Sequence, residues 1–325
     1  MHRLFRQIHT HLKGAARVLI IPHQNPDGDA LGAATALAEF LHQHNIPRRI
    51  FCATPASAHF DYLPHIKYLT TDPTVWQEEF SHIVVVDSGD LVYAGVADHL
   101  AALPRRPLLI NIDHHPTNKG YGDVNLVVPT ASSTNEILYQ FFTHNRVPIT
   151  ARMATSLMTG LLTDTGTFTN GGTTKLALQV GSELLKKGAD WSQIIEYVMR
   201  DKSLPTLKLW GTVLGRLTHD TTTDVVYTWI TQADYKQYNV APGASEGMSN
   251  LLNYLSDGSA AMVLEERADG QIKGSFRTTH EGVNVAAWAS ALGGGGHIKA
   301  AGFRTPGPLT EAIARILALI AERKA

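Results

Sequence analysis

One cysteine, Cys52, is all that this chain of 325 residues contains. No intrachain disulfide can form, and no thiolate cluster is available to hold a metal. Charge of one sign is also lacking: 28 Lys and Arg face 29 Asp and Glu, for a net charge of −1, and no Lys/Arg run occurs. Proteins that grip long duplexes carry a strongly basic face. The balance therefore speaks against long duplex DNA and for a partner with few phosphates, held in a local basic pocket that net charge cannot report. Long apolar runs are missing too. None approaches the roughly 18–20 residues of a membrane span, and the start, Met1-His-Arg-Leu-Phe-Arg-Gln-Ile-His9, has no uninterrupted apolar stretch of a secretory signal. The expectation is a cytoplasmic protein without membrane association, which the single cysteine suits.

What is abundant is histidine, with 16 copies. Its position decides its meaning, so the organisation of the chain comes first. Arg17–Ile21, His82–Val86 and Pro107–Ile112 are apolar runs that read as buried strands, while Asp29–Asn45, Ser133–Phe142 and Ala151–Leu162 carry helical spacing. Strands alternating with helices predict an α/β domain, a parallel sheet with helices on both faces. From Thr174 to Leu217 the pattern is helical, punctuated by Gly188 and Pro205, with Asp190 placed to cap a helix from Trp191. Strands are then expected at Asp224–Ile230, Ala260–Glu265 and Ile272–Arg277, and helices at Val283–Leu292 and Leu309–Ala321. This gives a parallel-sheet domain over 1–190, a helical connector over 191–220 and a smaller α+β domain over 221–325. Two domains also fit a length above the ~100–200 residues of one.

Four places just beyond the predicted elements hold acidic and histidine residues, at the edge where open parallel sheets bind ligands. Pro22-His23-Gln24-Asn25-Pro26-Asp27-Gly28-Asp29 follows the first strand; as plain structure it is a turn with Asp29 as helix cap. Asp87-Ser88-Gly89-Asp90 follows the second, where Asp90 is placed to cap a further helix. Asp113-His114-His115-Pro116 follows the third, and three adjacent ionisable groups at a strand tip are costly unless paired or metal-bound. Asp164 ends an apolar helix in a Thr/Gly-rich stretch. His23, Asp27, Asp29, Asp87, His114 and Asp164 thus supply two imidazoles and four carboxylates, the mixed ligation of a dinuclear site. Imidazole favours Mn²⁺, Co²⁺ or Zn²⁺ and several carboxylates favour hard ions; two Mn²⁺ satisfy both, with Mg²⁺ or Co²⁺ as alternatives. Two divalent ions offset four carboxylates, so an anionic substrate needs further cations from elsewhere.

These residues carry a resemblance. His23-Gln-Asn-Pro-Asp-Gly-Asp-Ala-Leu-Gly32, Asp87, Asp113-His114-His115 and Asp164 resemble, in order, the four motifs of the DHH phosphoesterase superfamily. Gly293-Gly-Gly-Gly-His297-Ile-Lys-Ala-Ala-Gly302 resembles the DHHA1 domain that follows it, and the pairing is most similar to bacterial nano-RNases that also dephosphorylate pAp. The resemblance implies that His23 and Asp27 bind one metal, that Asp29, His114 and Asp164 bind a second, and that Asp87 bridges both. It makes Asp87, Asp113, His114 and His115 the catalytic set, with His115 facing substrate phosphate, and gives Arg277, Gly295, Gly296 and His297 to the substrate. Ala33, where relatives often place Ser, is a departure that loses no ligand.

The glycine run admits two structures, a flexible hinge or a cradle of backbone N–H groups at the start of a short helix, with Ala300-Ala-Gly302 packing against the facing domain. Glu246-Gly-Met-Ser-Asn250 is also family-like, and equally a loop into a helix capped by Ser249 or Asn250. Ser132 and Ser133 read as caps, and Phe168, Trp288 and Phe303 as core rather than base-stacking platforms. The function implied is metal-dependent hydrolysis of short RNA, about 2–5 nucleotides long, and of the 3′-phosphate of pAp, with substrate between the domains. The alternatives are a cyclic di-AMP or linear dinucleotide phosphodiesterase, a pyrophosphatase, and a nucleotide sensor without turnover. Oligomeric state is left open, a homodimer included.

Overall fold

A computed structural model describes residues 1–199, 202–245 and 247–324. The chain divides into two compact units, 1–201 and 202–325, with the boundary inside the stretch expected as connector. Among the described residues no helix is long and apolar enough to cross a membrane.

The first unit is built on six parallel strands: β1 (Val18–Pro22), β2 (Arg48–Phe51), β3 (Leu69–Thr70), β4 (His82–Val86), β5 (Leu108–Asp113) and β6 (Val124–Val127), in the order β3-β2-β1-β4-β5-β6. The central strands are apolar on both faces because both are covered. Val18, Ile20, Val84, Val86, Ile110 and Ile112 pack with α1 (His2–Lys13), α2 (Gly28–Gln43), α4 (Thr134–His144), α5 (Ala151–Asp164) and α6 (Lys175–Lys186). Leu19, Ile21, Ile83, Val85 and Leu109 face the other way, onto Val75, Trp76 and Leu100 of α3 (Ala97–Ala101). The short α7 (Trp191–Ile194) follows, capped by Asp190 through Gln193 N as expected. The expected strands and helices of this unit are all present within one or two residues, whereas β2, β3 and β6 went unread because they are short, two to four residues each, with β3 and β6 at the sheet edges. Chain order runs outward from β1 to β3 and then returns to β4 on the other side of β1. This reversal opens the crevice in which doubly wound sheets place ligands.

The second unit carries α8 (Leu204–Leu214), β7 (Thr218–Asp220), β8 (Val225–Ile230), α9 (Gln232–Tyr238), α10 (Met248–Leu251), β9 (Ala260–Glu266), β10 (Gln271–Arg277), α11 (Val285–Ala291), β11 (Gly295–His297), β12 (Ala300–Pro306) and α12 (Leu309–Lys324). Its sheet runs β11-β12-β10-β9-β8-β7, antiparallel except for β8 beside β9. One face packs Met262, Leu264, Phe276, Trp288, Phe303 and Ile316; the other packs Leu209, Val213, Tyr235 and Val263. Trp288 and Phe303 are core residues, as read from sequence. Phe168 packs partly buried against the first unit's core.

Two expectations are corrected by the local geometry of this unit. The glycine run starts no helix and is no hinge. Gly295–His297 form the edge strand β11, paired antiparallel with β12. A Cβ on Gly294 would lie 2.1 Å from Gly302 O, and one on Gly296, at φ +141°, would lie 2.6 Å from Ala300 O. Glycine is required there by the tight return of the chain, and the Ala300-Ala301-Gly302 segment serves the same sheet. Helix α10 is capped by neither Ser249 nor Asn250. Its cap is Gly247 at φ +89°, without a side-chain bond. Glu246 lies outside the described residues.

Candidate metal centre

Pro22, Val86 and Ile112 are at matching heights in the register of β1, β4 and β5. The residues that follow, His23, Asp87 and Asp113, therefore emerge together at the C-terminal edge of the sheet. Asp87 sits at φ +56°, a left-handed conformation costly for a residue with a Cβ. It is held there by its own N–H on Ile112 O at 3.0 Å, and by Ser88, whose carbonyl accepts from Asn118 Nδ2 and Tyr121 Oη.

The helices bring the rest. Asp27, not Asp29, caps α2: its Oδ1 accepts from Asp29 N at 3.0 Å and Ala30 N at 3.1 Å. Asp29 thereby falls in the first turn, fully buried and aimed inward. Asp164 is the last residue of α5 and points back at the same place. Asp90, read as a helix cap, instead closes a turn by accepting from Tyr93 N; the helix that follows begins only at Ala97.

Three groups of donor atoms result, each with its atoms within 4.8 Å of one another: His23, Asp27 and Asp87; Asp29, His114 and Asp164; and Asp87, His114 and His115. Asp87 joins them. Its Oδ2 lies 3.7 Å from His23 Nε2, and its Oδ1 lies 3.6 Å from His114 Nε2 and 3.7 Å from His115 Nδ1. His114 Nε2 is also 3.1 Å from Asp164 Oδ2 and 4.0 Å from Asp29 Oδ2. The two imidazoles are oriented alike. His23 Nδ1 lies 2.8 Å from Gln24 O and His114 Nδ1 3.4 Å from Ala131 O, so an Nδ1–H donor on each turns the Nε2 lone pair to the carboxylates.

The electrostatics show what the cluster needs. Burial, then the charges of Asp29, Asp27, Asp164 and Asp113, push the Asp87 carboxyl well above its ordinary range. Burial and Asp29 raise Asp164 to about 7 against the pull of His114. Burial alone would lower His114; the hydrogen bond and charge of Asp164 carry it up to about 10. Burial also opposes ionisation of Asp27, but the hydrogen bond and charge of His23, with the amides of Ala30 and Asp29, together outweigh it and keep the carboxyl below its usual range. Carboxylates this crowded must either hold protons or be offset by cations. Two imidazole nitrogens and four carboxylates suit a pair of divalent ions in chemistry as well as charge.

Several residues of this centre escaped sequence reading. Ser133 caps α4, as expected, through Glu136 N; Ser132 instead donates to Gly172 O. The first amides of α4 then face Asp29, with Thr134 N on Oδ2 at 2.7 Å and Asn135 N on Oδ1 at 3.1 Å, a carboxylate at a helix N-terminus. Thr134 Oγ1 donates to Asp87 Oδ1 at 2.9 Å. Asp113 belongs to none of these three groups of donor atoms. Its Oδ1 accepts from His114 N and His115 N and lies 2.8 Å from His115 Nδ1, while Asn118 Nδ2 donates to its Oδ2 at 2.6 Å. Asn118 is tied in turn to Asn111 in β5. A buried asparagine in the middle of an apolar strand was the available signal, since such a side chain demands partners.

Of the residues expected at substrate, Arg277 and His297 end β10 and β11, and both register with Ala300 of β12. They share one rung and hence one face of the second sheet. Arg277 Nε donates to Asn250 Oδ1 at 3.0 Å, which fixes the plane of the guanidinium. Gly295 and Gly296 lie exposed on the same edge strand.

Two stretches match family models: residues 17–161 match the DHH family, N-terminal domain, and residues 222–324 match the DHHA1 domain. The chain belongs to the DHH phosphoesterase superfamily. It is a hydrolytic enzyme of the DHH–DHHA1 type, and the DHH match ends just before Asp164, the last residue of α5. The bifunctional oligoribonuclease and PAP phosphatase NrnA of Thermus thermophilus is 28% identical over 306 residues, covering 94% of this chain and 89% of the relative. The protein of that name from Bacillus subtilis is 25% identical over 289 residues, covering 88% of each. An exopolyphosphatase-related protein from Bacteroides fragilis has the same fold, with a TM-score of 0.90 at 24% identity over 99% of this chain and 96% of that one.

Proposed function

We propose that this DHH enzyme uses two divalent ions, Mn²⁺ in the first place, to hydrolyse short oligoribonucleotides to mononucleotides and to remove the 3′-phosphate of pAp. The observation that carries the reading is the placement of Asp87, one oxygen toward the His23–Asp27 group and the other toward the His114 group. Under this reading His23 and Asp27 hold one ion, Asp29, His114 and Asp164 hold the other, and Asp87 is shared. Bound ions would supply Lewis acidity and an activated water. The chain does the rest. The amides of Thr134 and Asn135 hold the Asp29 carboxylate in place, donating to Oδ2 and Oδ1. Asp113 and Asn118 fix the His115 ring, so that its Nε2 is the edge presented to a substrate phosphoryl oxygen or leaving group. Arg277 and His297 are the side chains assigned to the substrate's phosphates, with the exposed backbone of Gly295 and Gly296 beside them. The names of the T. thermophilus and B. subtilis relatives support short RNA and pAp as the substrate classes. The near-neutral chain is in keeping with ligands of few phosphates.

The test is product analysis with Mn²⁺ on pAp, a 5′-phosphorylated RNA dinucleotide, a long RNA and cyclic di-AMP, with Asp87→Ala alongside. AMP from pAp and mononucleotides from the dinucleotide, both lost in the variant, are the expected result. Turnover confined to cyclic di-AMP would move the function to second-messenger breakdown. Undiminished turnover by the variant would remove Asp87 from the mechanism.

A further inference from the structure

One face of the second sheet is only partly covered. Leu209, Val213, Tyr235 and Met248, from α8, α9 and α10, pack there on Ile230, Ala261 and Val263 of β8 and β9. Beyond β9, along β10, β12 and β11, the residues on this face are exposed or half-buried. Strand register arranges them in three rungs. Arg277, Ala300 and His297 make the first, Ser275, Gly302 and Gly295 the second, and Lys273 with Arg304 the third. Residues directly opposite in an antiparallel pair share a face, as do alternate residues along a strand, so all three rungs belong to one surface.

The third rung has no use in the fold. Lys273 and Arg304 are both exposed and stand directly opposite each other. Like charges so placed destabilise a sheet. Glu265 is opposite Lys273 on β9, but it is buried, and its carboxylate accepts from Arg267 Nη1 at 3.1 Å and Ser245 Oγ at 3.2 Å. Among the described residues no carboxylate lies within salt-bridge distance of Lys273 or Arg304. The rung therefore offers two cations to an anion from outside the chain. The second rung leaves the way to it clear. A Cβ on Gly295 would meet nothing within 4 Å, and one on Gly302 only Gly274 O at 3.6 Å. Ser275 Oγ has no hydrogen-bond partner among the described residues. Low, polar backbone thus lies between two cationic rungs. Lys273 is four residues from Arg277 along β10, about 13 Å at the rise of a strand. One phosphate cannot span that distance.

We infer that Lys273 and Arg304 form a distal phosphate subsite for single-stranded RNA, holding a phosphate further along the strand than the one at Arg277 and His297 and favouring substrates longer than a dinucleotide. The inference rests on the proposed function, in which Arg277 and His297 take a substrate phosphate. Two cations at one rung match the charge of a short single strand, and the bare second rung gives its backbone a floor to lie on.

The test is the KM of the full-length, Mn²⁺-loaded enzyme for 5′-phosphorylated RNAs of two to six nucleotides. In the parent, KM should fall about tenfold between the dinucleotide and the pentanucleotide, the size expected of hydrogen bonds to charged groups. The double variant Lys273→Gln with Arg304→Gln should lose most of that fall. Its log KM for the pentanucleotide should depend on log salt with a slope shallower by about 0.7 for each cation removed. Lys273→Glu should raise the pentanucleotide KM further, by repulsion. Arg323 is exposed at the end of α12, which packs on the opposite face of the sheet. Arg323→Gln removes an equal charge and should alter neither the length dependence nor the salt slope. RNA hydrolysis with a KM independent of length, or with the same length dependence in parent and double variant, overturns the subsite and leaves the proposed function standing. No hydrolysis of RNA of any length overturns the proposed function and the subsite with it.

Discussion

Asn135 Nδ2 donates to both the side chain and the backbone of Asp29, at 2.7 Å to Oδ1 and 2.8 Å to O. One amide thus sets the direction of a carboxylate that the sequence leads one to expect as a ligand. Asn135→Ala leaves Asp29 buried with fewer donors. Expected are a 10–100-fold loss of metal affinity or activity, as for other residues that orient ligands, and a stability loss of about 1–3 kcal/mol from the unsatisfied acceptor. Metal titration and urea denaturation of the variant check both figures.

Gly160 of α5 faces the same pair. A Cβ there would lie 1.9 Å from Asn135 Nδ2 and 2.7 Å from Asp29 Oδ1. Alanine is the better helix former by about 1 kcal/mol, so helix propensity and site geometry pull in opposite directions. Gly160→Ala should fold, keep its helical circular dichroism, and lose at least tenfold in kcat. Activity equal to the parent would show that Asn135 can move aside without consequence.

The crowding of carboxylates sets a pH dependence for the metal-free protein. Asp164 is raised from 3.8 to about 7 on folding. A raised carboxyl contributes stability that is full below about pH 4 and is lost as pH rises through about 7. The melting temperature in chelator should therefore fall between pH 4 and pH 7, with a shallower fall in Asp164→Asn. Metal binding needs the deprotonated groups, so affinity should rise over the same window. A flat profile in the parent would contradict the crowding.

Asn118 touches Asp113, which belongs to none of the three groups of donor atoms. Asn118→Ala should lower kcat about 10–100-fold through the looser His115 ring, with metal affinity close to the parent's. Parallel loss of both would place Asn118 among the groups that hold metal.

The sequence disclosed a good part of this site for a physical reason. In a parallel sheet the strand tips share one edge, so polar residues just beyond apolar runs are gathered whatever the details, and His23, Asp87 and Asp113-His114-His115 were found that way. Local geometry was less legible. Whether Asp27 or Asp29 caps α2 depends on a few degrees of backbone, and the structure gives the cap to Asp27 and buries Asp29. Four glycines can serve as a hinge, a cradle or a hairpin; the pairing of β11 with β12 decided for the hairpin.

By itself, then, the sequence determined the composition and order of the candidate site: two imidazoles and four carboxylates, on elements whose periodicity is strong enough to specify strands and helices. The tertiary structure decided what depends on distance between remote segments. The α4 amides face Asp29 across 105 residues of chain, Asn118 holds Asp113 from the loop beyond it, and Arg48 and Arg152 meet on opposite nitrogens of His65. Periodicity reports which face a residue occupies. It carries no information on which neighbour meets that face, and that was settled only by packing.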